Sequence, residues 1–451
     1  MYQEILDEIA TLPIVSPHGH TDPSWFANNT PFPDPASLLI TPDHYVFRLL
    51  YSRGVPLLDL GVGLPEQARD PRSIFRVVAE NWFIFLGTPV DRWMMDTFRD
   101  VFEIDAPLLP ETADEIFDQV SAKLQQPSFR PLELAAQFKI ELIATTDGCN
   151  DLLNHHESFG RQDVRPLTLI PTFRPDNVLN PLHPVFQTAL DELANASGGE
   201  VDTYDGYLHA LQVRRAYFKD RGAAATDHDV PDVSTEWLTR NEASALFDRV
   251  RSGSASAQEA KRFYAHMLVE MAQMSVEDGL VMQIHGGSRR STNRALFEEH
   301  GSDIGADIPA PANWVDGLNA LLNRVGNDPK MRLIAFTLDE SCLSRELAPM
   351  AGHWPALMLG PPWWFHDSEN GIERYFDRVV ESAGYWNLAG FNDDTRAFLS
   401  IPARHAMWRR GVAKHLTRQI EDGRLTDEAA IRVAKRLARD AAIESYRLEL
   451  N

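Results

Sequence analysis

Residues 14–20 read IVSPHGH, a short apolar run that ends in two histidines. An apolar run of this length is typical of a strand buried on both faces of a sheet. Six further runs of this kind follow, which are IELIATT at 140–146, LTLIPTF at 167–173, LVMQIH at 280–285, MRLIAFTL at 331–338, ALMLG at 356–360 and NLAGF at 387–391. The first stretch therefore predicts the repeating unit of the fold, a buried strand with polar side chains at its end.

Helical stretches lie between most of these runs. In EIFDQVSAKLQ at 115–125 and IERYFDRVVESAG at 372–384, apolar residues return every three or four positions, as on one face of a helix. An eighth strand is predicted at GAAATDHD, residues 222–229, where the alternation would otherwise skip a strand. Strands that alternate with helices predict a parallel sheet.

The 451 residues allow several domains or one large barrel. No linker rich in Gly, Ser or Pro divides the strands into halves. A doubly wound open sheet is the rival fold, but the first strand carries no GxGxxG and the chain shows no phosphate loop. We therefore predict an α/β fold, a single (β/α)8 TIM barrel domain over residues 1–451 with helical insertions at about 21–138 and 175–275.

Charge and composition exclude several classes of function. The chain has 43 Lys and Arg against 65 Asp and Glu, a net charge of −22, which argues against nucleic acid as a partner. No apolar run approaches the roughly 20 residues that cross a bilayer. The acidic N-terminus does not resemble a secretory signal, and two cysteines cannot form a disulfide framework. We therefore expect a cytoplasmic protein that does not act on membranes.

Polar and aromatic side chains follow the predicted strands. In a parallel barrel they would meet at the carboxyl-terminal mouth, where active sites form. They are His18 and His20, Thr146 and Asp147, Arg174 and Asp176, Asp227 and His228, His285 with Arg289, Arg290 and Asn293, the Trp363-Trp364-Phe365 run, and Asp393, Asp394 and Arg396.

His18 and His20 are two apart on the predicted first strand, so both imidazoles would point to the same side and could bind one metal ion. Asp394, after the last strand, would complete three protein ligands and leave an open position. The alternative is a pair of unrelated surface histidines. The closure of a barrel favours the metal site, because its first and last strands are neighbours.

Three arginines, Arg174, Arg290 and Arg396, would converge at the same mouth and repel one another unless an anion neutralises them. This favours a small acidic substrate. The alternative is that structural carboxylates pair with them, with Asp176, Asp303 and Asp393 available. His285 is a candidate third imidazole, a proton shuttle or a histidine with a purely structural partner, and the Trp363-Trp364-Phe365 run packs the rim more readily than it stacks on a ligand.

Asp43-His44-Tyr45 and Arg48 form one further cluster, on a helix predicted to start near Pro42. Such a group is usually the solvated start of a helix. If the first insertion folds over the mouth, however, the cluster would supply a proton-transfer residue and an anion clamp.

With these motifs in view, the chain resembles the uronate isomerases of the amidohydrolase superfamily over nearly its whole length. The matching motifs are HxH at 18–20, DHYxxR at 43–48, TTD at 145–147, PTFRPD at 171–176, DH at 227–228, MQxH at 282–285 with Gly287, Arg290 and Asn293, GxDxGxD at 301–307, WWF and D at 363–367, and DxRxFLSxP at 394–402. The resemblance supports the strand at 222–229 and implies a distorted barrel of the amidohydrolase type.

The resemblance implies a metal-dependent aldose–ketose isomerase that converts D-glucuronate to D-fructuronate or D-galacturonate to D-tagaturonate. It implies one divalent metal, with zinc as the first choice and manganese or iron as alternatives. The implied roles are metal binding by His18, His20 and Asp394, proton transfer by Asp394, Tyr45, His285 or His44, and substrate binding by Arg174, Arg290, Arg396, Arg48 and Trp364.

Several departures from the family pattern, at Ser16-Pro17, 146–149, 290–293 and 393–396, leave the choice of uronate open. Where the family has TTDDP, this chain ends the motif with Thr146-Asp147-Gly148-Cys149, and where the family has RNNN, this chain has Arg290-Ser291-Thr292-Asn293. A hydrolase or decarboxylase of the same superfamily and a catalytically inactive sugar-acid binding protein are the alternatives. The predicted strand ends carry no clear lysine that could be carboxylated to bridge two metal ions, which argues against a dinuclear hydrolase. A homo-oligomer is compatible with the sequence, which leaves the number of subunits open.

Overall fold

A curled sheet forms the centre of the computed structural model, which describes residues 1–162 and 167–450. The strands are β1 (Ile14–Ser16), β2 (Ile140–Gly148), β3 (Thr168–Arg174), β4 (Ala225–Val230), β5 (Val281–Gly286), β6 (Ser288–Arg289), β7 (Ile308–Pro309), β8 (Leu333–Thr337) and β9 (Leu357–Leu359). Seven of them lie in the order β1-β2-β3-β4-β5-β8-β9, and each neighbouring pair is parallel. β6 and β7 form a separate antiparallel pair.

Helices cover this sheet and make up most of the chain between β1 and β2 and on either side of β4. They are α1 (Tyr2–Ala10), α2 (Pro23–Asn28), α3 (Pro35–Leu39), α4 (His44–Ser52), α5 (Pro71–Glu80), α6 (Pro89–Asp100), α7 (Ala113–Leu124), α8 (Pro131–Gln137), α9 (Asn154–Gly160), α10 (Asp176–Leu179), α11 (Phe186–Ser197), α12 (Tyr204–Lys219), α13 (Arg240–Arg251), α14 (Ala257–Asp278), α15 (Arg294–His300), α16 (Trp314–Gly317), α17 (Asn319–Val325), α18 (Ala348–Ala351), α19 (Glu369–Ala383), α20 (Ile401–Glu421), α21 (Asp427–Lys435) and α22 (Ala441–Tyr446).

The eighth position of the barrel is only partly formed. The predicted strand at 387–391 is reduced to one bridge, Leu388 to Leu359, and Ala389 N donates to Leu359 O at 2.8 Å. The ladder stops there because Gly390 has φ +84°, in the left-handed region that a strand cannot contain. Further along, His20 N donates to Thr395 O at 2.9 Å, which joins the last segment to the residues after β1. The distorted barrel of the prediction is confirmed.

Two details of the strand predictions need correction. The first strand ends at Ser16, so His18 and His20 lie just beyond it rather than on it. The predicted strand at 222–229 is confirmed as β4, whereas the short pair β6 and β7 was not predicted. Two residues per strand leave no periodicity for a sequence pattern to show.

The C-terminal segment closes the end of the sheet opposite the strand ends that carry the polar residues. Arg447 donates to Gly279 O at 3.3 Å and to Lys330 O at 2.7 Å, and these carbonyls lie shortly before β5 and β8. Tyr446 is buried in an apolar cluster with Ala225 and Val281, at the starts of β4 and β5. Within residues 1–162 and 167–450, no helix combines the length and the apolar character needed to span a bilayer.

Candidate active site

A cavity of about 670 Å³ opens at the carboxyl ends of the parallel strands. It collects nearly all the predicted site residues, namely His18, His20, His44, Tyr45, Arg174, His285, Arg290, Trp364, Asp394 and Arg396. Its size is typical of small-molecule sites. Arg48 is the one residue with a predicted catalytic, metal-binding or substrate-binding role that the described cavity lining does not include: its guanidinium lies 4.6 Å from the centre of the Phe365 ring. Of the other residues expected at the mouth, the lining also lacks Asp147, His228, Arg289, Asn293, Phe365 and Asp393.

Three ligand atoms converge on one point of this cavity. His18 Nε2 lies 3.3 Å and His20 Nε2 3.0 Å from Asp394 Oδ1. Asp394 Oδ1 nevertheless has no hydrogen-bond donor among the described residues, and its other oxygen accepts from Trp363 Nε1. Two imidazole nitrogens and a carboxylate oxygen that face each other without hydrogen bonds fit a divalent cation between them.

The electrostatics of this group suit a cation. Burial alone would raise the pKa of Asp394, but His18 and His20 hold it well below its usual range, so the carboxylate is ionised. Burial alone would lower the pKa of His18, but Asp227 and Asp394 raise it above its usual value. The two carboxylates thus favour a positive charge at His18, whether a proton or a bound cation.

A second group, His18 with Asp227 and His285, could also hold a metal ion. Here, however, both carboxylate oxygens already have partners: Asp227 Oδ1 lies 2.7 Å from His285 Nδ1, and Oδ2 lies 3.2 Å from Arg174 Nη1. Despite burial, these two partners hold the pKa of Asp227 well below its usual range. The first group is therefore the better metal site, and Asp227 fixes the orientation of His285.

The His285 ring is held in a narrow slot. It stacks on Phe336 with ring centres 4.3 Å apart and on His18 at 4.9 Å. Its Nδ1 faces Asp227, whereas its Nε2 has no hydrogen-bond partner among the described residues. An imidazole held by a carboxylate at one nitrogen, with the other nitrogen free, can exchange a proton or bind a cation.

Each of the three arginines is paired with carboxylates. Arg174 contacts Asp176 at 2.8 Å as well as Asp227, and Arg396 contacts Asp303 at 2.9 Å. Arg290 contacts Asp229 at 3.0 Å and Asp307 at 2.7 Å.

The alternative of structural carboxylate partners is therefore correct, although Asp393 is not among these partners. The cavity lining contains three arginines and seven aspartates, so repulsion between the arginines alone does not demand an anion. Arg396 is the most open of the three: its side chain is 38% exposed and that of Asp303 is 46% exposed.

Helix α4 brings His44 and Tyr45 to the cavity, so the first insertion does fold over the mouth. The Asp43 side chain accepts from Tyr45 N at 2.9 Å and caps the helix there. Burial, with Arg396 nearby, lowers the pKa of His44 to about 3, so the ring is neutral. Burial raises the pKa of the Tyr45 hydroxyl well above its usual value, despite the Arg404 guanidinium nearby, and the phenol keeps its proton.

Arg404 supports this corner from behind, a role that no sequence signal indicated. Its guanidinium lies 3.7 Å from the centre of the Trp93 ring and 5.0 Å from that of Tyr45. Nη1 donates to Asp367 Oδ2 at 2.9 Å and to Asp393 O at 3.2 Å. Asp229 and Asp307, the partners of Arg290, were likewise not predicted as site residues. The GxDxGxD motif at 301–307 was a signal for Asp307, but the pairing with Arg290 joins separate segments and leaves no pattern of its own.

Several residues that line the cavity have a strained backbone. Nine described residues other than glycine have a positive φ, and four of them, Ser291, Asp303, Trp364 and Asp394, line the cavity, with φ between +42° and +61°. A side chain in the left-handed region costs roughly 1–2 kcal/mol. Such strain is typical of functional sites, where the surrounding structure holds it in place.

Comparisons with known proteins agree with this geometry. The family model described as glucuronate isomerase matches residues 2–445. The chain belongs to this family. A uronate isomerase of Rhizorhabdus wittichii is 50% identical over 98% of this chain and 94% of its own length.

Solved structures point the same way. The crystal structure of glucuronate isomerase from Caulobacter crescentus has a TM-score of 0.97 at 44% identity and covers 100% of this chain and 94% of its own. Uronate isomerase from Thermotoga maritima has a TM-score of 0.93 at 28% identity, with 99% and 97% covered. The predicted family and the class of enzyme, an isomerase, are confirmed, and the hydrolase alternative is not favoured.

Proposed function

We propose that the chain interconverts an aldose and a ketose form of a uronate, D-glucuronate with D-fructuronate or D-galacturonate with D-tagaturonate. The observation that carries this proposal is the convergence of His18, His20 and Asp394 beside His44, Tyr45 and three arginines in one cavity. The names of the family and its relatives support the substrate class.

The reaction moves one hydrogen between neighbouring carbons. A base takes the proton from carbon 2, the hydroxyl proton of oxygen 2 is transferred to oxygen 1 through an enediol, and carbon 1 then receives a proton. Asp394 is ionised and is our candidate for the base. Tyr45 keeps its proton and can donate it to a sugar oxygen. The neutral His44 ring can relay protons, and so can His285 through its unpartnered Nε2.

His18, His20 and Asp394 would hold one divalent cation, which would act as a Lewis acid toward the sugar oxygens. Two imidazoles and a carboxylate suit zinc best, and manganese or iron would also accept these ligands. This is a proposal about metal identity that rests on the donor atoms alone.

We propose that Arg396 binds the substrate carboxylate. Among the described residues it contacts a single carboxylate, that of Asp303 at the open edge of the cavity, whereas Arg174 and Arg290 contact two each. Arg174 and Arg290, together with Trp364, whose ring centre lies 5.7 Å from the Arg290 guanidinium, would contact sugar hydroxyls. Arg48, which stacks on Phe365, would act on the substrate only through that ring.

The remaining proposals concern the setting of the enzyme. The predicted cytoplasmic location is supported by Cys149 and Cys342, which are both free thiols. A homo-oligomer remains compatible with the chain.

Proton NMR in deuterated water tests the reaction directly. The protein is incubated with D-glucuronate or D-galacturonate, with and without zinc or manganese, and we expect a ketouronate that carries deuterium at carbon 1. His18→Ala and His20→Ala should lose bound metal and turnover together. His155→Ala, which removes an exposed histidine of α9, should keep both.

Two outcomes would contradict this proposal. A metal-loaded protein that converts neither uronate would show that another sugar acid is the substrate. Two bound metal ions together with hydrolysis of an added ester or lactone would favour the hydrolase alternative.

A further inference from the structure

Tyr446, the last residue of α22, reaches from the closed end of the sheet to the underside of the candidate metal site. Its Oη lies 2.7 Å from Gln283 Oε1, and Gln283 Nε2 lies 3.4 Å from His18 Nδ1. Tyr446 is 2% exposed, Gln283 0% and His18 1%. A continuous buried polar path therefore joins the C-terminal helix to a candidate metal ligand.

The same hydroxyl also contacts the segment that carries Asp394. Asn392 Nδ2 donates to Tyr446 Oη at 3.4 Å, two residues before Asp394. α22 can approach this segment because Gly390 has no side chain: a Cβ at this position would lie only 2.6 Å from Ala442 N. Tyr446 thus links β5 to the eighth position of the barrel, where the ladder has a single bridge.

This polar path can supply the hydrogen-bond acceptor that a metal-bound histidine needs. A histidine that binds a cation through Nε2 carries its proton on Nδ1 and needs an acceptor there. Gln283 can supply one by turning its amide, so that Oε1 accepts from His18 and Nε2 donates to Tyr446, at the loss of a 3.5 Å contact with Thr226 O. The Tyr446 hydroxyl would then accept from Gln283 and donate to Asn392 Oδ1, once the Asn392 amide, whose Nδ2 now faces Tyr446, has also turned.

We propose that Tyr446 is a positioning residue for the metal site: through Gln283 it holds His18 with Nε2 free to bind the cation. This inference rests on the metal site of the proposed function. It assigns a role at the site to the C-terminal helix, about 430 residues from His18 in the sequence.

Zinc affinity, measured by competition with a chromogenic chelator, tests the proposal without using activity. Removal of a group that supports a metal ligand typically weakens metal binding 10–100-fold, and we expect about this loss for Tyr446→Phe. The control is Tyr375→Phe, which removes a buried hydroxyl that has no hydrogen-bond partner among the described residues. It should bind zinc like the unmodified chain, and the absorption spectrum of bound cobalt should change in Tyr446→Phe alone.

The double variant separates positioning from a general structural effect. Gln283→Met should itself weaken zinc binding, and Tyr446→Phe should add no further loss to it, because Tyr446 acts through Gln283. Additive losses, or a Tyr446→Phe protein with unchanged zinc affinity, would overturn the proposal.

If Tyr446→Phe does not fold, the Gln283→Met protein provides the test on its own. Unchanged zinc affinity in Gln283→Met would then overturn the positioning proposal. An unmodified chain that binds neither zinc nor cobalt would instead refute the metal assignment of the proposed function, and this inference with it.

Discussion

Asp147 is a largely buried carboxyl that has no charged partner among the described residues. Thr145 Oγ1 donates to its Oδ2 at 2.7 Å, and the nearest imidazole, that of His156, is neutral because burial lowers its pKa to about 4. Burial raises the pKa of Asp147 to about 7. The folded chain therefore holds this proton between about pH 4 and 7, whereas the unfolded chain releases it near pH 4.

The consequence is a stability that falls as the pH rises. A raised carboxyl pKa contributes stability below the unfolded pKa, and this contribution is lost as the pH rises through the folded value. Asp147→Asn removes the titration, so its melting temperature should rise relative to that of the unmodified chain from pH 5 to 7, and the difference should level off above pH 7. Thermal unfolding at pH 5, 6, 7 and 8 measures it, and a constant difference across this range would contradict the assignment.

Substitution of Arg396 tests the proposed binding of the substrate carboxylate by a single residue. A hydrogen bond to a charged group contributes about 1.5–3 kcal/mol, or roughly 10–100-fold in affinity. Arg396→Gln should raise KM for the uronate by about this factor and change kcat less. Arg294→Gln, which removes an 89% exposed arginine of α15, should leave both constants unchanged. An unchanged KM in Arg396→Gln would assign the carboxylate to another arginine.

At the scale of elements, the start of α4 determines where His44 and Tyr45 point, and two helix caps can be compared directly. Asp43 caps α4, and Ser256 caps α14, where its hydroxyl accepts from Glu259 N at 3.3 Å. Loss of either cap should cost about 1 kcal/mol of unfolding free energy. Only Asp43→Ala should also lower kcat, because His44 and Tyr45 form the first turn of α4.

Asp43→Ser provides the decisive control for this pair, since serine caps a helix as well as aspartate does. We expect it to keep most of kcat. A kcat as low as that of Asp43→Ala would instead show that the Asp43 carboxylate acts on the substrate itself.

The strands were predictable because burial on both faces leaves a run of apolar residues, as in β2, β5 and β8. The run at 387–391 gave the same signal, but the ladder stops at Gly390, whose conformation depends on the approach of α22. Convergence of His18, His20 and Asp394 followed from topology. The partners of Arg290 and the role of Gln283 could not be predicted in this way, because they depend on side-chain contacts between segments 17 to 265 residues apart.

For the whole molecule, metal binding and folding should be linked. A cation that binds only the folded chain stabilises it by about 2.7 kcal/mol at a hundred times its dissociation constant. Treatment with a chelator should therefore lower the melting temperature, and added zinc should restore it. Asp394→Asn should abolish the response, and a chelator-treated chain that melts at the same temperature with and without zinc would contradict the predicted site.

The strained residues around the cavity have a consequence for laboratory evolution. Selection for heat resistance alone would favour glycine at Ser291, since glycine adopts the left-handed region without strain and little packing is lost with a serine side chain. This substitution would relax a loop that shapes the cavity. Variants gained in this way should survive heating better and turn over more slowly, so a screen for robustness would have to score catalysis in every round.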